Sequence, residues 1–524
     1  MFPGPVLTRD LLAQQDVAGI KGGQMTQSSG AFHLLEATID DIQRAYATGE
    51  ITAHELTQLY INRIEALDRA GPAINSIITI IPDALDQADR LDAALRVSGP
   101  VGSLHGVPVI LKDQIDAAGT ATTMGSVLFK DYFPTHDASV VERLRKAGGI
   151  ILAKATLGEM GGGDTHGSLF GSTRNPWDLE RTVGGSSGGP GASISANFGT
   201  VSLGQEGYAS IRRPAAWNGI VGMRPTQGLV SRAGVYHGWP MTNGSLGPMA
   251  RTVRDLAILL DLMVGYDPED PLTALGVGHA PAGYTSALDA GGLKGARIGI
   301  LRESMGRNSE PGSEDFAKGT RAFDRAVTEL QDAGASVVDP IVIPGLNELL
   351  AKRSGWGDDE AFAVYFGRGG NAPFRTPKEM LESPDYSKVF RARGSGPPVS
   401  VPSRYPEYLV AREALTINMA KVMADHRLDA IVHKTVEHQP TLISEGVNPP
   451  YSNQKGATHL NTYLVYVPSI SVPAGFTSDK LPFGITFLGK AYSDSDMIKY
   501  AYAYEQATKH RVPPPSAPSL PGEP

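Results

Sequence analysis

The sequence predicts an α/β protein with a largely parallel or mixed sheet, and two observations carry that reading. Apolar runs of strand length recur along the chain, and stretches of helical periodicity lie between them. No fixed-period repeat points to a solenoid or propeller instead. The 524 residues are 41% hydrophobic, enough for a large buried core. At roughly 100–200 residues per domain the length alone would suggest about three domains.

Taken in order, residues 1–34 read as an N-terminal extension, and the first helix is ATIDDIQRAYATGEITAHELTQLYINRIEAL from Ala37. VPVILK (107–112) and GIILAK (149–154) read as buried strands around the amphipathic helix ASVVERLRKAG. The helix TVRDLAILLDLMVG follows, then the strand ARIGIL (296–301), the helix DRAVTELQDAG, and the strands LDAIVH (428–433) and VPSISVPA (467–474). Pro/Gly-rich stretches at about 267–292 and 350–402 read as long surface excursions, and the Pro-rich tail 511–524 as a poorly ordered end.

Composition excludes several functions. A formal net charge of -8 with no long Lys/Arg run argues against nucleic-acid binding. The absence of cysteine removes disulfides, thiolate nucleophiles and Cys-based zinc sites. The twelve histidines form no HExxH or other metal pattern, so no metal and no cofactor are expected. No apolar run approaches the roughly eighteen residues of a membrane span, and the first thirty residues lack the basic start and apolar block of a signal peptide. A cytoplasmic enzyme, monomeric or homodimeric and acting on a small molecule, is the expectation.

The chemistry is concentrated in GGSSGGPGASISANFGTVSLGQEGYASIRRPAAWNG, Gly184 to Gly219. A phosphate-binding loop would need Lys-Ser/Thr after its second glycine, and Pro190 follows Gly189 instead. Gly185 to Gly189 matches G-x-S-x-G, the nucleophile elbow of α/β-hydrolases with Ser187 as nucleophile, but RNPWDLERTV before it is no buried strand. Capping of a helix entering ASISANF explains one or two of the serines. Ser210 stands beside several consecutive backbone N–H groups at a helix start, an arrangement that stabilises an oxyanion. Its base can come from Lys112 at the end of the apolar strand VPVILK. That lysine either snorkels to solvent or, if buried, is desolvated toward the neutral amine that serine–lysine catalysis uses.

Five segments, in order, resemble the amidase signature hydrolases: GVPVILKDQID, FGSTRNPWDLERTVGGSSGG, the Ser210 segment with IRRPAAWNGIVGMRPTQGLVS, GSLGPMARTVRDLAILLDLMVGYDPEDP, and VPSISVPAGF with LPFGITFLG. The resemblance spans most of 35–510 and implies one large α/β/α domain with a central mixed sheet. It implies a Ser-Ser-Lys triad with Ser210 as nucleophile, Ser186 as bridging serine after a cis Gly185–Ser186 peptide, and Lys112 as base. Glycines 184, 185, 188 and 189 would relieve crowding there. The backbone N–H groups of Gly207, Tyr208 and Ala209 join that of Ser210 as oxyanion donors. Glu206 and Arg212 fall where the family pairs an acid with an arginine to hold the nucleophile loop, the alternative being surface charges. Ser187 either hydrogen-bonds Lys112 or caps the helix.

The chain departs from the family where Tyr208 and Ala209 replace two glycines, which puts the loop path in question. Tyr208 either fills a core gap or touches substrate. The pocket implied by family position is Met124, Gly125, Glu159 to Gly163 with Met160, Gly161 and Gly162, Tyr208, Trp217, and Trp356 or Phe362. These are mainly apolar or small, with no carboxylate or arginine that can be placed. The expected activity is therefore hydrolysis of small neutral hydrophobic amides, with aryl esters and carbamates (urethanes) as further substrates. The alternatives are the glutaminase subunit of a tRNA-dependent amidotransferase and a Ser187 esterase.

Overall fold

The first helical stretch already shows how local chemistry sets the element boundaries. Periodicity runs through it unbroken, yet the computed structural model divides it into helices Ile39–Thr48 and Ala53–Arg63. Gly49 ends the first in the left-handed region at φ 73°, and the Thr52/Glu55 capping box starts the second. The structure describes residues 31–524 apart from 242, 354–358, 391–403 and 459.

From Phe32 onward the described chain folds around one eleven-stranded sheet. Its strands are β1 (Ile77–Ile80), β2 (Pro108–Lys112), β3 (Ile150–Ala155), β4 (Val201–Glu206), β5 (Val221–Arg224), β6 (Ser245–Ala250), β7 (Arg297–Leu301), β8 (Ser336–Ile341), β9 (Ala430–Lys434), β10 (Ser469–Phe476) and β11 (Pro482–Leu488). They lie in the order β1-β3-β2-β4-β6-β5-β10-β11-β9-β7-β8. The β3-β2-β4 and β9-β7-β8 neighbours are parallel and the other pairs antiparallel, so the sheet is mixed. The strands named from the sequence all fall in it. β2 and β3, buried along their whole length, read as nearly continuous apolar runs, whereas β4, equally buried, carries Ser202, Gln205 and Glu206 and does not.

The C-terminal tail contradicts its composition. Arg63, fully buried, forms an ion pair with Glu523 at 2.8 Å and donates to the carbonyls of Ala517 and Pro518. Arg511 pairs with Glu36 at 2.7 Å, and the Leu34 N–H donates to the Pro524 carbonyl. The tail is a packed strap, fixed by contacts more than 400 residues apart in sequence.

Candidate active site

Lys112 is the last residue of β2, and its side chain is completely buried. Its Nζ donates to Ser186 Oγ at 2.7 Å and to the Gln205 carbonyl at 3.2 Å. Among the described residues no carboxylate lies within 4.0 Å of it. Burial holds the amine well below the ordinary lysine range, against a smaller opposing pull from the charge of Glu206. The snorkelling alternative is thereby excluded.

The bend carrying Ser186 is packed so closely that its glycines are required. A Cβ on Gly185 would stand 2.3 Å from the Gly163 carbonyl oxygen, and one on Gly189 would stand 2.3 Å from that of Thr156. The Gly185–Ser186 peptide is cis. Arg213 locks the bend: its guanidinium donates to the Gly185 carbonyl at 2.7 and 3.1 Å and to the Gly163 carbonyl at 3.2 Å, and pairs with Asp164 at 2.8 Å. Sequence reasoning misses Arg213, although a second arginine inside an otherwise apolar helix start signals a buried partner.

Ser187 does not play either role expected of it. It occupies the N-cap of the helix Gly188–Ser195 without a side-chain cap. Its hydroxyl instead donates to the Gln205 carbonyl and accepts from the Gln205 N–H, both at 3.2 Å, which ties the bend to β4 rather than to Lys112. Fully buried and absent from the cavity wall, it is badly placed to be an elbow nucleophile. The strand before it, Asp178–Thr182, lies outside the main sheet.

Ser210 follows β4 and lines the cavity. Its carbonyl accepts from the Ser187 N–H at 3.0 Å, which brings the two serine segments side by side. Glu206 and Arg212 are completely buried and paired at 2.8 Å, not surface charges. Glu206 also accepts the N–H groups of Ile211 and Arg212 at 2.8 and 3.0 Å, and Arg212 donates to the Tyr208 carbonyl. The loop is thus stitched on both sides, while the N–H groups of Gly207, Ala209 and Ser210 have no acceptor among the described residues. Positive φ occurs at none of residues 207–210, so Tyr208 and Ala209 stand where glycine is not needed.

The cavity measures about 540 Å³, and its lining corrects the expected pocket. Met160, Gly161, Gly162, Gly163 and Tyr208 do line it. Met124 does not: it is fully buried in an aromatic cluster with Phe129, Tyr236, Phe362 and Phe366, which also removes Phe362. Nor does Trp217, whose indole N–H donates to the His438 carbonyl beside a separate, smaller cavity. Glu159 is turned to Ser168 and the Phe390 N–H, and Trp356 lies outside the described residues. Polar groups replace the expected apolar ones, among them Asn243, Asn453, Gln454, Arg307 and Arg353. No local motif signals Arg307, Arg353, Asn453 and Gln454, which come from loops outside the signature segments, and Asn243 directly precedes one of those segments without belonging to it.

The Amidase family model matches residues 55–498. A glutamyl-tRNA(Gln) amidotransferase subunit of Thermoanaerobacter pseudethanolicus is 32% identical over 498 residues, covering 92% of this chain and 98% of that protein. A probable amidase of Arabidopsis thaliana is 31% identical, covering 96% of each chain. Among solved structures, the native peptide amidase of Stenotrophomonas maltophilia is 33% identical with a TM-score of 0.77, over 92% of this chain and 99% of that one. A buried strand-end lysine bonded to the serine of a glycine-rich bend, a second serine on a stitched loop and a match spanning most of the chain lead to one conclusion: the protein belongs to the amidase signature family and is an amidase, a hydrolase of carbon–nitrogen bonds.

Proposed function

We propose that the protein hydrolyses small amides through a Ser210-Ser186-Lys112 relay, with aryl esters and carbamates as further substrates. The observation that carries this reading is the buried Lys112 amine, 2.7 Å from Ser186 Oγ and without a carboxylate partner among the described residues. A neutral amine takes the Ser186 proton, and Ser186 takes that of Ser210 as the Ser210 oxygen bonds to the carbonyl carbon. Negative charge on the substrate oxygen meets the N–H groups of the Gly207 to Ser210 loop, each such donor contributing about 3–4 kcal/mol in comparable sites. The proton returns through Ser186 to the departing amine. Water then attacks the acyl-Ser210 ester and releases the acid.

A second reading is favoured by the 32% identity to a glutamyl-tRNA(Gln) amidotransferase subunit, namely hydrolysis of glutamine within a multi-subunit complex. One assay separates the two: purified protein with 4-nitroacetanilide, an aryl carbamate, glutamine and a peptide amide, alongside Ser210→Ala. Anilide or carbamate turnover that disappears in Ser210→Ala is expected. Preference for glutamine or the peptide amide over both would overturn the substrate assignment, and turnover persisting in Ser210→Ala would overturn the relay.

A further inference from the structure

Two arginines share the cavity wall with Ser210, and neither has an ionic partner among the described residues. The buried arginines Arg212, Arg213 and Arg232 are neutralised by Glu206, Asp164 and Asp270, whereas Arg307 and Arg353 stand exposed on the cavity wall. Arg307 and Arg353 have no carboxylate within 4.0 Å and no side-chain hydrogen bond among the described residues. The cavity lining contains no Asp or Glu among those residues.

The positions of both are built. Arg353 lies over the Tyr208 ring with its Cζ 4.5 Å from the centroid, and Tyr208 is two residues from Ser210. Arg307 is held through its backbone: its N–H donates to Ala457 at 3.0 Å and its carbonyl accepts from Gly456 at 2.7 Å. Directly before it, Glu437 accepts the N–H groups of Met305 and Gly306 at 2.8 and 3.0 Å. Both positive charges reach the Tyr208 hydroxyl, which burial nevertheless pushes up to about 12.

We propose that Arg307 and Arg353 form an anion subsite, so that the preferred substrates are amides carrying a carboxylate and no ammonium group. This rests on the amidase reading of the same cavity. A carboxylate there meets two fork-shaped donors whose charge nothing else in the described lining neutralises. An ammonium group finds no counter-charge, which sets a zwitterion such as glutamine apart from a simple carboxylate.

Two matched pairs place the charge on either side of the scissile bond. N-(4-nitrophenyl)succinamate is compared with 4-nitrobutyranilide, and 4-acetamidobenzoate with 4-acetamidobenzamide. In at least one pair kcat/KM should favour the anion by about tenfold or more at low salt, and the ratio should shrink as salt is added. The same ratio should fall about fivefold or more in Arg307→Gln and in Arg353→Gln, and approach parity in the double variant. Calorimetric binding of the same compounds to Ser210→Ala reads the subsite without turnover. Loss of turnover in Ser210→Ala tests the amidase reading separately. Absence of anion preference in both pairs, by rate and by binding, or a preference that survives the double variant, would overturn the subsite.

Discussion

Two lysines stand on neighbouring strands, equally buried, in opposite chemical company. Lys154 on β3 meets Asp113 at 3.2 Å and Thr122 Oγ1 at 3.0 Å, a buried ion pair. Lys112 on β2, whose neighbour Leu111 is in register with Lys154, meets a serine hydroxyl and a carbonyl only. Burial raises the Asp113 carboxyl and Lys154 pulls it back down, whereas nothing comparable restores the charge of Lys112. The lesson is that burial alone does not make a lysine a base. The absence of a carboxylate does, because only then does desolvation favour the neutral amine.

Replacing each lysine by methionine, which keeps the volume and removes the amine, should split the pair most widely. Lys112→Met should lose about 10³-fold or more in kcat/KM, since members of one relay are individually indispensable. Its melting temperature should hold or rise. The sign follows from linkage: between the lowered native pKa and the usual value of about 10.4, the unfolded chain binds a proton that the native amine does not, so wild-type stability climbs with pH across that window. Any stability gained by Lys112→Met should therefore shrink as pH approaches about 10.4, as denaturant titrations at several pH values would show.

Lys154→Met should show the reverse. It leaves Asp113 buried without its cation, at a cost of about 3–5 kcal/mol, read as a lower denaturation midpoint. Much of this loss should return in the Lys154→Met/Asp113→Leu double variant. A Lys154→Met protein as stable as wild type would remove the contrast.

Smaller effects sharpen the picture around Ser186. Arg213→Lys keeps the charge but loses the fork that grips the Gly185 carbonyl, so kcat should fall by about 10- to 100-fold while KM changes little. The smallest effect belongs to Ala209→Gly. With no positive φ at that position, glycine restores nothing, and the variant should lose about 0.5–1 kcal/mol of stability with activity within about threefold.

What is legible in the sequence is whatever repeats locally. Buried parallel strands are continuous apolar runs, so β2 and β3 can be read, and Lys112 stands out at the end of one. The Glu206 and Arg212 pair is legible only through the family resemblance, which places an acid and an arginine at those positions. The side on which a residue faces is not: Met124 and Trp217 are close in sequence to the site yet turn into other parts of the core. Contacts closed by the whole chain are invisible too. The Arg63–Glu523 pair joins residues 460 apart, and Arg307 and Arg353 reach the cavity from loops without a motif.

The central claim, a neutral Lys112 driving Ser210 through Ser186, is tested most directly by the rate at which a fluorophosphonate labels the protein. Label position is mapped by peptide mass spectrometry and the rate is followed against pH. A single label on Ser210 is expected, with a rate that rises with pH through an apparent pKa well below that of an ordinary lysine and a reaction that is lost in Lys112→Met. Labelling of Ser187, or Ser210 labelling that Lys112→Met leaves unchanged, would contradict it.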